Sequence, residues 1–179
     1  YDNYGMNKDE LIDLLIFKSS KEDKYVTLKE YVERMKEDQK DIYYATGDSI
    51  EAIKELPQLE KVLDKGYEEL YFTDNVDEFM ANIIGNYSDK PFKSLLQGDL
   101  DLDTKEEKEE VEKKANDNKD LLATLKEELK DKVSDVKLST RLKTSSVCPV
   151  SDDGISINMA KTLNAMNQGN IQANKILEI

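Results

Sequence analysis

Three short stretches of this 179-residue chain carry residues whose types and spacing could do chemistry. The first is Thr46-Gly47-Asp48-Ser49, between an apolar run and a helical pattern. Backbone N–H groups at such a turn can hold a phosphate. It contains one glycine and neither a Walker lysine nor a GxGxxG pattern, so an ordinary capped turn accounts for it. The second is Asp99-Leu100-Asp101-Leu102-Asp103, with Glu110 twelfth from Asp99, which is the spacing of a calcium loop. Position six of that loop needs Gly and has Thr104, position eight needs an apolar anchor and has Glu106, and Thr104 serves better as a helix cap. The third is Cys148 before Pro149. With no histidine in the chain, a thiolate there would need Lys143 or a helix N-terminus to lower its pKa, and an inert, partly buried thiol is the plainer reading. No catalytic residue and no metal ligand is assigned.

Composition excludes more. The absence of histidine removes Ser-His and Cys-His nucleophile pairs, HExxH zinc sites and histidine-ligated haem. A single cysteine makes no internal disulfide, which fits a reducing compartment and a cytoplasmic location. With 26 Lys and Arg against 39 Asp and Glu the net charge is −13, so neither nucleic acid nor an anionic membrane is expected as a partner. Only Arg34 and Arg141 offer bidentate recognition. The longest apolar runs, such as Leu14 to Phe17, are too short to span a bilayer, and no signal peptide is evident. Opening on Tyr1 and closing just after Ile176 to Ile179, the chain reads as a piece of a longer protein.

The elements that would position these residues alternate between helix and strand. Asn7 to Phe17 places Leu11, Leu14 and Leu15 at helical spacing, closed by Phe17. Thr27-x-x-Glu30 is a capping box, followed by Leu28, Tyr31, Val32 and Met35 on one stripe. Ile42 to Ala45 reads as a strand, and Asp48 as the cap of the helix after it. Pro57 opens a further helix that Gly66 ends in the left-handed region. Tyr67 to Phe72 is the second strand. Asp74 is expected to cap a helix with Val76, Phe79 or Met80, Ile83 and Ile84 inward, and Pro91 to Leu96 to form a short edge strand. This order predicts an α/β fold, a small parallel or mixed sheet layered with helices.

Between Asp101 and Lys132, 20 of 32 residues are charged, which sets the expected domain boundary. The reading is residues 1–103, with a helical segment over about 1–24 and an α/β/α unit over about 25–103, then 104–179. Thr104-x-x-Glu107 caps a long helix through Lys132 with Leu122, Leu125 and Leu129 as a narrow seam. Val133 to Thr140 alternates like a strand, and Ser145 to Val150 is expected to pair with it. Gly154 to Asn167 is an amphipathic helix with Ile155, Met159, Leu163 and Met166 on one face, a stripe that composition alone assigns to a core before a soft binding surface.

Several longer motifs resemble one family. Tyr31-Val32-Glu33-Arg34-Met35, then Gln39 and Ile42-Tyr43-Tyr44-Ala45-Thr46-Gly47, closely resemble the middle domain of the ninety-kilodalton heat-shock chaperones in their bacterial form. Asp77-Glu78-Phe79, Lys90-Pro91-Phe92, Val136 to Leu142 with Arg141, and Asn158-Met159-Ala160-Lys161 match in order over essentially the whole chain. The resemblance implies a stretch from the end of the middle domain into the C-terminal domain of an ATP-driven, homodimeric chaperone. It implies unfolded or partly folded clients as partners, and ATP and Mg as cofactors of the whole protein but none here. Client contacts carry over to Glu78, Phe79 and Asn82, and to Ile155, Met159, Thr162 and Leu163. Two departures matter: Phe79 stands where relatives commonly have Trp, and Thr162 where an apolar residue is common. A purely structural coupling module and a phosphate-binding enzyme domain remain the alternatives.

Overall fold

The computed structural model describes residues 7–22, 24–74, 76–152, 155–166 and 171–179. The chain divides into two compact units, one of residues 1–55 and 62–94, the other of 56–61 and 95–179. The boundary expected at 103/104 is a boundary in composition; the packing divides at Ser94 and gives 56–61 to the second unit.

The first unit opens with α1 (Lys8–Leu11), a 3-10 turn (Ile12–Leu14), β1 (Ile16–Ser19), β2 (Tyr25–Thr27) and α2 (Leu28–Glu33). It continues through β3 (Ile42–Thr46), α3 (Ile50–Lys54), β4 (Glu69–Phe72), α5 (Asp77–Ile84), β5 (Asn86–Tyr87) and β6 (Lys90–Ser94). Between α3 and β4 lie a 3-10 turn (Pro57–Leu59) and α4 (Glu60–Asp64). The sheet runs β2-β1-β4-β3-β6-β5, so the α/β expectation holds. β3 is central and parallel to β4 and β6, with all five of its residues buried. Strands buried on both faces read as continuous apolar runs, as Ile42 to Ala45 does.

One face carries Phe17, Ile42, Tyr44, Leu70 and Phe72 against Leu28 and Tyr31 of α2 and Ala81 of α5. Tyr44 and Phe72 stack at 4.5 Å. The alternate residues face the other way, where Tyr43 stacks on Tyr67 at 5.9 Å and Lys54 of α3 lies over the Tyr71 ring. Tyr31 ties α2 to the sheet. Its hydroxyl donates to the Glu68 carbonyl (2.6 Å) and accepts from Gln39 Nε2 and the Tyr43 amide.

Several expectations are corrected. The run from Asn7 to Phe17 is not one helix: after α1 and one 3-10 turn, Ile16 to Ser19 pairs antiparallel with β2. Phe17 enters the core from that strand, while Leu11 and Leu14 stay exposed. Ser49, not Asp48, caps α3, its Oγ accepting from the Ala52 amide. β6 is not an edge, because β5 pairs on its outer side and leaves Pro91 opposite Asn86. The capping box at Thr27 forms as expected, with both reciprocal bonds. Pro57 starts its turn and Gly66, at φ 64°, follows α4.

The second unit has α6 (Lys105–Asp117), α7 (Lys119–Glu128), β7 (Asp135–Lys137), β8 (Cys148–Ser151), α8 (Ile157–Ala165) and β9 (Lys175–Glu178). The capping box at Thr104 forms, but the long helix breaks at Asn118 and ends at Glu128. β9 lies between β7 and β8, so the strand at 148–151 pairs with the C-terminal strand and not with β7.

Candidate functional site

Two helices carry the residues singled out by the sequence, one in each unit. In the first unit, α5 is launched by a reciprocal turn: the Asp77 amide donates to the Asp74 carbonyl (3.0 Å), and the Asp74 amide to Asp77 Oδ2 (3.2 Å). Asp74 is therefore not the side-chain cap; Val76 occupies that position and no side chain caps it. Gly85 closes the helix at φ 78°, where a side chain would be strained. Ala81 and Ile84 are buried and Met80 packs on the core, which settles which of Phe79 and Met80 faces in.

The expected inner face is corrected further, because Val76 and Ile83 are 51 % and 54 % exposed. Val76, Phe79 and Ile83, at i, i+3 and i+7, thus form one outward apolar stripe, with Phe79 half-buried at its middle. Asn82 is exposed beside it and donates Nδ2 to the Glu78 carbonyl at 2.9 Å. Glu78 is buried, and its charge helps push the Tyr44 phenol above the ordinary range, after burial as the main cause. Of this trio, Phe79 and Asn82 reach the surface and Glu78 turns in.

In the second unit, Ser156 caps α8 by accepting from the Met159 amide (2.9 Å). Gly154 and Asn167, the expected ends of this helix, lie outside the described residues. Ala160 and Thr162 are buried, Met159 and Leu163 half-buried, Ile155 and Met166 exposed. The expected stripe from Ile155 to Met166 is therefore exposed at both ends and half-buried at its middle, and the buried residues Ala160 and Thr162 lie off it. The Thr162 hydroxyl donates to the Asn158 carbonyl (3.0 Å), which satisfies it within the helix. Asn164 clamps the chain that returns to β9, with its side chain donating to and accepting from the Ile171 backbone.

The frame that holds this second unit is ionic, and most of it escaped the sequence reading. Arg141 pairs with Glu178 at 2.8 Å and donates to the carbonyls of Leu95, Gln97 and Gly98. Lys61, only 3 % exposed, pairs with Asp103 and with Glu107. The Glu60 carboxylate accepts from the amides of Lys143, Thr144 and Ser145 and from the hydroxyls of Thr144 and Ser145. Burial works against its ionised form, but the Ser145 hydroxyl and these amides outweigh that and lower its pKa to about 2.

The three chemically suggestive stretches have structural partners. Asp99 Oδ1 accepts from the Asp101 amide, Asp101 pairs with Lys108, and Asp103 with Lys61. Among the described residues no group of three or more Cys, Asp and Glu is placed to hold a metal. At the Thr46–Ser49 turn, a Cβ on Gly47 would come within 2.7 Å of the Ile53 side chain, so the glycine is needed for packing. The Cys148 thiol is buried and pushed up to about 12, by burial first and the Glu178 charge next. That leaves it protonated and unreactive at neutral pH.

Against known proteins, residues 2–179 match the model of the Hsp90 protein family. The chain is 55 % identical to the chaperone protein HtpG of Oceanobacillus iheyensis, 51 % to that of Bacillus subtilis and 54 % to that of Clostridium perfringens. Each match covers this whole chain but only 28–29 % of the relative's length. With that coverage by the family model, and with the resembling motifs placed on a layered α/β unit and the helices around it, the chain belongs to the Hsp90 family of chaperones.

Proposed function

We propose that this chain supplies client-binding surface and interdomain coupling to an ATP-dependent chaperone that remodels unfolded or partly folded proteins. The observation that carries the reading is the outward stripe on α5, where half-buried Phe79 lies between exposed Val76 and Ile83 and beside Asn82. Exposed apolar residues in a continuous row mark interaction surfaces more often than scattered ones do. Ile155, Met159 and Leu163 on α8 offer a second, softer surface, to which methionine lends adaptability. An apolar client stretch burying about 500 Å² would gain at most ~12 kcal/mol before ordering costs, which leaves a weak and exchangeable complex.

The proposal assigns ATP and Mg to parts of the family's proteins that this stretch does not match, and assigns the whole protein to a cytoplasmic homodimer. Glu78 and Thr162 act from within: Glu78 is on the buried side of α5, and Thr162 on the buried side of α8. Their burial also favours a second reading, a coupling module without client contacts. Fluorescence anisotropy of a labelled unfolded protein separates the two. Under the client-binding reading the parent chain raises the anisotropy at micromolar concentration, and a Phe79→Ala/Met159→Glu variant of equal circular dichroism does not. Equal titrations for both, or no titration by the parent, would leave only coupling.

A further inference from the structure

Glu69 is a charged residue type placed where no charge is at home. It lies in β4, it is fully buried, and neither carboxylate oxygen closes a well-formed hydrogen bond, although the Ser20 hydroxyl beside it favours the charged form. Its neighbours explain why ionisation is opposed there. Just before the strand, Glu68, itself paired with Arg34 of the first unit, adds like charge; on the strand Tyr71 is a phenol, and Tyr43 stands opposite in register on β3. Tyr31 of α2 feels its charge, and on α3 Lys54 places its ammonium over the Tyr71 ring. On the β1 side, Lys18 is in register with Tyr71, and Lys21 pulls weakly toward ionisation.

The backbone at the same residue is a joint. Only two residue pairs, Lys18 with Tyr71 and Ser19 with Leu70, join β1 to β4. Two further bonds extend that joint: the Ser20 amide donates to the Glu69 carbonyl (3.0 Å), and the Glu69 amide donates to Ser20 Oγ (3.1 Å). An unpaired ion at this spot must be hydrated or paired from outside the sheet, and the nearest seam to open is the β1–β4 joint.

We propose that Glu69 is a proton-operated element of the first unit: neutral, it lets β1 and β2 close on β4, and ionised, it loosens that joint. Burial raises its pKa from the ordinary glutamate range to about 7, with Ser20 and Lys21 opposing and Glu68 adding. Because the folded form holds the proton more tightly than the unfolded chain, the stabilisation is complete at low pH. It is lost as pH rises from the ordinary glutamate value through neutrality, and little changes above that. The loss is on the order of a hundredfold in the opening equilibrium, at tenfold per pKa unit.

The test is amide hydrogen exchange at Ser20 and Glu69 between about pH 5 and pH 8, corrected for intrinsic exchange, in the parent and in Glu69→Gln. Protection should fall with pH in the parent and stay level in the variant. The carbon resonance of the Glu69 carboxyl in the labelled parent gives a second reading that needs no variant, with a midpoint near neutrality expected. A midpoint in the ordinary glutamate range, or equal pH profiles for parent and variant, would overturn the proposal.

Discussion

The two units solve the problem of holding few elements together in opposite ways. The first buries aromatic and branched side chains on both faces of a six-stranded sheet, with Tyr31, Ile42, Leu70 and Phe72 nearly inaccessible. The second has three short strands and a core cluster of Cys148, Val150 and Ile176, with Leu142 against it. It compensates with charge: Arg141 with Glu178 and Lys61 with Asp103, both largely buried, and the partly exposed Glu60 in its ring of amides. Burial tolerates small losses at many places, because dispersion and area are shared among many contacts. A buried ion pair tolerates none, because removing one partner leaves the other charged and dry. The first unit holds one such pair, Arg34 with Glu68, but the second rests on more of them and has more to lose from a single substitution.

That difference is broken most directly at Arg141. Arg141→Ala should destabilise the second unit by roughly 3–5 kcal/mol, since it strands Glu178 and frees three carbonyls. Hydrogen exchange would show the loss across β7, β8 and β9 with the first unit's amides unchanged; equal protection would mean the ionic frame is dispensable. In the first unit the closest counterpart is Tyr31→Phe, which keeps the ring and removes a hydroxyl with three partners. Urea denaturation should report a cost of about 1–3 kcal/mol, the price of leaving buried groups unpaired. The smallest effect is that of acid on Glu60. Its folded pKa is depressed to about 2, so its contribution is present above the ordinary glutamate range and fades as pH falls toward that value. Exchange at the Thr144 and Ser145 amides should rise over that range, and Glu60→Gln should abolish the pH dependence.

How much of this was readable in the sequence follows the range of each interaction. Thr27 with Glu30 and Thr104 with Glu107 were readable because a capping box closes within one turn. The central strand was readable because Ile42 to Ala45 is continuous and apolar. Leu11, Leu14 and Leu15 misled, since their helical spacing hid the strand that starts at Ile16 and takes its meaning from β2 and β4. β9 between β7 and β8, and Glu60 with the amides of 143–145, depend on partners 83–85 residues apart or on the chain's far end, which no local pattern reports.

The candidate surface shows the same limit. Val76, Phe79, Met80, Ile83 and Ile84 fall on one wide apolar arc of α5, broader than the face that packs, so periodicity could not choose which side of the arc turns in. The packing chose Met80 and Ile84, which freed Val76 and Ile83 to flank Phe79. On α8, Thr162 is inside although it is polar, because its hydroxyl bonds back to Asn158. Buried Glu78 and Glu69 have no sequence signature that sets them apart from the chain's many surface acids.

The central claim, that the outward stripe on α5 and the partly exposed apolar face of α8 receive unfolded protein, is tested most directly by amide shift mapping. An unlabelled unfolded protein is titrated into the isotope-labelled chain. Client binding predicts progressive shifts concentrated at 76–84 and 155–166, weakened at both by Phe79→Ala/Met159→Glu. Shifts confined to other segments, or none at saturating client, would contradict it.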